Sequence, residues 1–166
     1  EKIRDAATPG RGVPPARDTT DRYLDALRAI WMVTPLDAWH PSQSAIRRFA
    51  TGPKHQMFDP GIAGHLLGET VASLLTSAPA APLLSRSATV LGALFESQVA
   101  HDITVFAHPV GAEAYHFREH SGQHEVDLIV ERADRRVVAI EVKLTRSVSD
   151  TDVRHLRWLQ GRLGED

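Results

Sequence analysis

Two alternating stretches joined by a short loop constrain this chain more than any other feature. Glu125 to Glu131 and Arg136 to Leu144 read as strands, and Ala133-Asp134-Arg135 reads as the loop between them. Successive side chains of a strand point to opposite faces. Val126, Leu128 and Val130 therefore share a face with Val138, Ile140, Val142 and Leu144. Glu125, Asp127 and Ile129 share the other with Val137, Ala139, Glu141 and Lys143. Opposed residues of an antiparallel pair lie on the same side of the sheet. A three-residue loop places Asp127 opposite Glu141 and Glu125 opposite Lys143. A two-residue loop would turn the two carboxylates to opposite faces.

Two opposed carboxylates repel at close range. A divalent cation, a shared proton or a neighbouring ammonium would relieve them. Hard cations such as Mg²⁺ take oxygen ligands, often from only one or two protein carboxylates. Lys143 points the same way as Glu141 and could hold a metal-bound water or a phosphate oxygen. Cation, activated water and a stabilising charge are the parts of metal-assisted phosphodiester hydrolysis. The plain alternative is a solvated strand face decorated by a Glu125–Lys143 ion pair.

The rest of the chain reads as follows. Residues 1–18 are rich in breakers and read as a linker. Thr20 offers a helix cap ahead of Leu24, Leu27, Ile30 and Trp31, and Pro35 ends that helix. Leu36, Ala38 and Trp39 look extended, residues 45–51 favour a strand, and His55 to Phe58 is a short extended piece. Asp59 caps a helix that has Pro60 at its first position and ends at Gly68. A breaker zone at 76–82 sets a boundary near residue 85. This divides a small mainly helical, winged-helix-like subdomain (19–85) from a second part (86–166). A helix over about 87–102 follows, with Val90, Leu91, Leu94, Phe95 and Val99 on its apolar side. Thr104 to His108 and Ala114 to Arg118 are candidate strands. Ser149 and Asp152 resemble a capping box opening a final helix through Val153, Leu156 and Leu159. The class is α/β in the broad sense, α+β in detail.

Several chemistries drop out. The chain has no cysteine, which removes disulfides, thiolate metal sites and cysteine nucleophiles. A net charge of −2 excludes a strongly basic DNA-coating protein. No apolar run approaches a membrane span, and no Gly-x-x-x-x-Gly-Lys-Ser/Thr loop offers an ATP site. No Gly-x-Ser-x-Gly elbow supports a hydrolase triad. His116, His120 and His124 recur every four residues, but Ser121-Gly122 breaks any helix there, so they read as loop histidines. Trp31, Trp39 and Phe49 could stack bases, but their aliphatic neighbours favour core packing. Arg47-Arg48 reads as a solvated edge.

Asp127, a gap of thirteen residues, and Glu141-Val142-Lys143 resemble the core motif of the PD-(D/E)XK nuclease superfamily. The aliphatic strand around Glu141 and the helix bearing Glu96 fit that resemblance. The chain is also similar to an uncharacterised C-terminal domain found behind AAA-type ATPase modules in bacterial and archaeal proteins. The similarity is carried by Leu27, Trp31, Val33, Leu36 and Trp39; by Pro53-Lys54 and Asp59-Pro60-Gly61-Ile62-Ala63; by Gly92, Leu94, Phe95 and Glu96; and by Glu125-Val126-Asp127 and Glu141-Val142-Lys143. It spans about residues 20–160.

The resemblance implies a restriction-endonuclease-like mixed sheet flanked by helices from about residue 86, with a further strand expected beyond Asp166. It implies that Asp127, Glu141 and the Val142 carbonyl bind Mg²⁺ or Mn²⁺, that Lys143 orients the attacking water, and that Glu96 adds an outer contact. It implies an upstream ATPase module, which makes this chain, beginning at Glu1, a piece of a longer cytoplasmic protein with DNA or RNA as substrate. A second reading is a catalytically weak or inactive module that binds or regulates the attached ATPase. A third is oligomerisation through apolar surface from residues 20–68. The charge of −2 favours the second over a nuclease, because nucleic acid prefers a basic surface.

Overall fold

The computed structural model describes residues 12–41, 52–75, 90–119 and 121–164. Helix α1 is Arg17–Ala29, strand β1 is Val33–Leu36, strand β2 is Lys54–Met57, and helices α2 and α3 are Pro60–Leu66 and Val71–Leu75. Helix α4 is Val90–Ala107, followed by a 3₁₀ turn at His108–Val110. Strands β3, β4 and β5 are Ala112–Arg118, Glu125–Arg132 and Val137–Ile140, and helix α5 is Arg154–Leu163. The fold is α+β. By contacts the chain forms two compact units. One takes the described residues up to Thr34 and from Met57 to Leu94; the other takes those from Pro35 to Gln56 and from Phe95 onward. The boundary expected near residue 85, the strand at 45–51, Phe49, Arg47-Arg48 and His120 lie outside the described residues.

In the first unit, Asp59 caps α2 as its sequence predicts. Its Oδ1 accepts the amides of Gly61 at 2.7 Å and Ile62 at 3.2 Å, two donors the helix cannot satisfy itself. The start of α1 differs from the expectation. It begins at Arg17, with Ala16 at the cap position and no side-chain cap. Thr20 instead turns its hydroxyl back onto the Ala16 carbonyl at 3.3 Å. Trp31 is 70% exposed at a positive φ of 59°, which removes it from the core packing expected of it.

The second unit is organised by the sheet β3-β4-β5, antiparallel throughout. The backbone of Asp37–Trp39 lies beside β3 as a parallel neighbour. The His116 amide donates to the Asp37 carbonyl, and the Trp39 amide donates to the His116 carbonyl. Between β4 and β5 the register is Leu128 to Ile140, Ile129 to Ala139, Val130 to Val138 and Glu131 to Val137. The turn holds three residues, Ala133-Asp134-Arg135. Arg135 sits at φ 71°, the left-handed position that closes a three-residue hairpin. This is the odd loop that the carboxylate pairing requires.

Both faces of the sheet are covered. Leu128 and Ile140 pack with Leu36 and with Val99, Ala100 and Ile103 of α4. Ile129, Tyr115 and Phe117 pack with Trp39 and with Leu156, Trp158 and Leu159 of α5. The solvated face considered from alternation alone is thus replaced, over Ile129, by a second core layer. Two other expectations also change. Residues 104–107 continue α4 rather than forming a strand. The Thr104 hydroxyl bonds the Ala100 carbonyl at 2.7 Å, and Ala100, Ile103 and Ala107 turn inward at helical spacing. Strand β5 stops at Ile140 rather than Leu144, and Val138 and Leu144 are 60% and 53% exposed.

Candidate functional site

The site begins with an irregularity in β4. Tyr115 pairs with Ile129, but Phe117 pairs with Val126, so Asp127 and Leu128 together oppose the single residue His116. Such a bulge re-aims a side chain locally. Extending the β4–β5 register by one step brings Asp127 level with Glu141, where the regular pairing ends. The Asp127 carboxylate takes over there: its Oδ2 accepts the Val142 amide at 2.8 Å. Val142 therefore enters the site through its amide, as a clamp on Asp127.

Glu141 is more enclosed than Glu96, Glu125 or Asp127, its side chain 8% exposed. Its Oε1 lies 2.7 Å from Lys143 Nζ, while its buried Oε2 has no hydrogen-bond partner among the described residues. Burial pushes the Glu141 carboxyl above its ordinary range. The Lys143 bond opposes that shift, and the charge of Asp127 reinforces it. For Lys143, burial disfavours the ammonium, but the bond to Glu141 and the charge of Asp127 outweigh it and raise the pKa. The ion pair expected from alternation, Glu125 with Lys143, is not the one formed: Lys143 takes Glu141.

Glu125 is held by Lys54, a residue that no spacing rule pointed to. Lys54 Nζ lies 2.9 Å from Glu125, 3.2 Å from Glu96 on α4 and 3.8 Å from Asp127 Oδ1. Arg118 adds a longer contact to Glu125 at 3.8 Å. Although burial disfavours its charge, Lys54 is raised by Glu96, Glu125 and Asp127. Glu125 is lowered: burial would raise it, but the Lys54 bond prevails. The segment leading to Lys54 is tied down by His116, whose ring Nε2 sits 3.3 Å from the Gly52 carbonyl. Burial, with Lys54 nearby, pushes the His116 imidazole toward its neutral form. Glu96 thus joins Asp127 through a shared ammonium.

A pocket of about 270 Å³ opens beside Glu141, lined by Lys143, Thr151, Asp152, Arg154 and His155. Arg154 Nε donates to His155 Nε2 at 3.0 Å, which leaves the proton of a neutral His155 on Nδ1, facing His124 Nδ1 at 3.2 Å. His124 in turn stacks on Trp158 with ring centroids 3.9 Å apart. Of the two histidines read as loop residues that the structure describes, His116 is a buried strand residue and His124 packs on α5. The Ser149–Asp152 cap forms in part: Asp152 Oδ2 accepts the Ser149 amide at 2.8 Å and its hydroxyl at 2.6 Å, with α5 starting two residues later.

Of the three devices that could relieve opposed carboxylates, the ammonium appears twice, as Lys143 on Glu141 and as Lys54 on Asp127, Glu125 and Glu96. A hard divalent cation suits the oxygen donors of Asp127 and Glu141, since Glu141 Oε2 is buried and unbonded and Mg²⁺ commonly uses two carboxylates with water completing its shell. Among the described residues no group of three or more His, Cys, Asp or Glu is placed to hold a metal ion. Asp127 and Glu141 are thus at most a two-carboxylate ligand set, and not an all-protein cage.

Residues 91–166 match a domain of unknown function, DUF4143. That match contains Glu96, Glu125, Asp127, Glu141 and Lys143. A second domain of unknown function, DUF8612, matches residues 4–73 and contains Lys54. No curated protein and no solved structure matches the chain. No helix among the described residues is long and apolar enough to cross a membrane.

Proposed function

We propose that the DUF4143 segment is a divalent-metal-dependent phosphodiester hydrolase of the PD-(D/E)XK kind, acting on DNA or RNA within an ATPase-bearing protein. DUF4143 is often found with AAA ATPases, which supports the upstream module. The observation that carries the proposal is the three-residue hairpin, which brings Asp127 level with Glu141, whose buried Oε2 has no hydrogen-bond partner among the described residues. Asp127 and Glu141 would hold Mg²⁺ or Mn²⁺. When bound, the cation supplies Lewis acidity toward a phosphoryl oxygen and lowers the pKa of a coordinated water. Lys143 keeps its ammonium charged and stands where it can steady the negative charge that builds on the phosphorane oxygens. The Val142 amide fixes the Asp127 carboxylate and limits its rotation. The test is Mn²⁺ titration of wild type and Glu141→Ala, followed by cleavage assays on single- and double-stranded DNA and RNA. Metal-dependent cleavage that Glu141→Ala abolishes supports the reading. Absence of metal binding, or equal activity in the variant, overturns it.

One observation favours the second reading, a catalytically silent module that regulates the attached ATPase. Lys54 already sets one ammonium among Glu96, Glu125 and Asp127, so the acidic cluster is partly relieved without a metal. Stable folding with no Mn²⁺ affinity in the wild type is the outcome that reading predicts.

A further inference from the structure

Lys54 has no role in the hydrolysis outlined above, yet it is the most heavily paired cation among the described residues of the second unit. Its side chain is 23% exposed and meets carboxylates from two elements, Glu96 on α4 and Glu125 and Asp127 on β4. These contacts are unequal. Glu125 and Glu96 lie at 2.9 and 3.2 Å, whereas Asp127 lies at 3.8 Å, beyond a direct hydrogen bond. Asp127 has already given Oδ2 to the Val142 amide, and Oδ1 is the oxygen that faces Lys54. A divalent cation using Oδ1 would sit close to the ammonium, and like charges a few ångströms apart oppose each other strongly in a partly buried setting.

We propose that Lys54 is a built-in competitor for the divalent cation at Asp127, a resident positive charge that the metal must push back toward Glu96 and Glu125. This rests on the reading of Asp127 and Glu141 as metal ligands. The geometry supplies the retreat: Glu125 and Glu96 keep the ammonium paired when Asp127 is given up. His116, through its contact with the Gly52 carbonyl, holds the segment before Lys54 and keeps the competitor near its post.

The experiment is Mn²⁺ binding, followed by electron paramagnetic resonance, on the full chain in four forms: wild type, Lys54→Met, Lys54→Arg, and Lys54→Met with Glu141→Ala. Competition predicts that Lys54→Met binds Mn²⁺ at least about tenfold more tightly than wild type, as expected when a neighbouring charge of the same sign is removed. Lys54→Arg stays near wild type. The gain disappears when Glu141→Ala is added. Unchanged or weaker binding by a folded Lys54→Met, with normal binding by wild type, overturns the competition and leaves the metal reading standing. A gain that survives Glu141→Ala also overturns it, because the cation then sits at Glu96 and Glu125. No binding by wild type or Lys54→Met overturns the metal reading and the competition together. Should Lys54→Met fail to fold, Lys54→Gln replaces it: Mn²⁺ binding at least about tenfold tighter than wild type supports the competition, and unchanged or weaker binding overturns it.

Discussion

Replacing Ile129 by alanine separates two pictures of the β4–β5 hairpin. In one, the face bearing Ile129 is a wet surface. In the other, it is a buried layer beneath α5. Ile129 is fully buried, packed with Tyr115, Phe117, Trp39 and Leu159. Truncation to alanine removes three carbons, worth about 0.8 kcal/mol each in lost transfer energy. The cavity left behind adds to that, so the loss should be about 3 kcal/mol, within the range for large-to-small core changes. Val138, one residue along on β5 and facing the other way, is the matched control. At 60% exposure its change to alanine should cost under about 0.5 kcal/mol. Urea denaturation followed by tryptophan fluorescence reads both. With a slope of about 2 kcal/mol per molar, Ile129→Ala lowers the midpoint by about 1.5 M and Val138→Ala barely moves it. A loss below about 1 kcal/mol at Ile129, or a larger loss at Val138, would refute the register and the two-layer packing together.

Other consequences follow from single residues. Trp39 Nε1 donates to Glu131 Oε2 at 3.1 Å in a buried setting, so Trp39→Phe removes a buried hydrogen bond and should cost about 1 kcal/mol in chemical denaturation, coupled to Glu131→Gln in a double-mutant cycle. Asp59→Ala removes the cap of α2. It should cost about 1 kcal/mol and speed hydrogen exchange at the Gly61 and Ile62 amides before it affects β4. Burial raises Glu141, so its folded form takes up a proton at higher pH than the unfolded chain does. Its contribution to stability therefore grows as pH falls through the folded pKa and levels off below the unfolded value, about 4.3. Glu141→Gln should melt higher than wild type above that window and converge with it at acid pH; a lower melting temperature at neutral pH contradicts the buried-charge argument.

The hairpin was legible in the sequence because local rules decide it. Ala133-Asp134-Arg135 supplies the odd loop, so the level of Asp127 with Glu141 could be worked out from spacing, but alternation failed at the bulge, where Val126, expected beside Leu128, packs with Ile129 instead. The Asp59 cap was legible for the same reason, since Asp-Pro-Gly carries its own helix start. What spacing could not supply was contact across the chain. Lys54 is 42 residues from Glu96 and more than 70 from Asp127, and only the Pro53-Lys54 similarity hinted at it. The same limit hid the second core layer, because α5 covers Ile129 from thirty residues away. Thr104 to His108 misled through its β-branched residues and Pro109. In the structure Pro109 falls in the 3₁₀ turn after α4, where the lack of an amide costs little. The β5 strand ended early because a side chain, Asp127, took the amide that a strand partner would have bonded.

The most direct test of the central claim is Mn²⁺ binding by the wild-type chain set beside Asp127→Asn and Glu141→Ala. The account predicts saturable binding of one ion in the wild type, at least about tenfold weakened by either substitution while both variants remain folded. Binding unaffected by both substitutions, or none in the wild type, contradicts it.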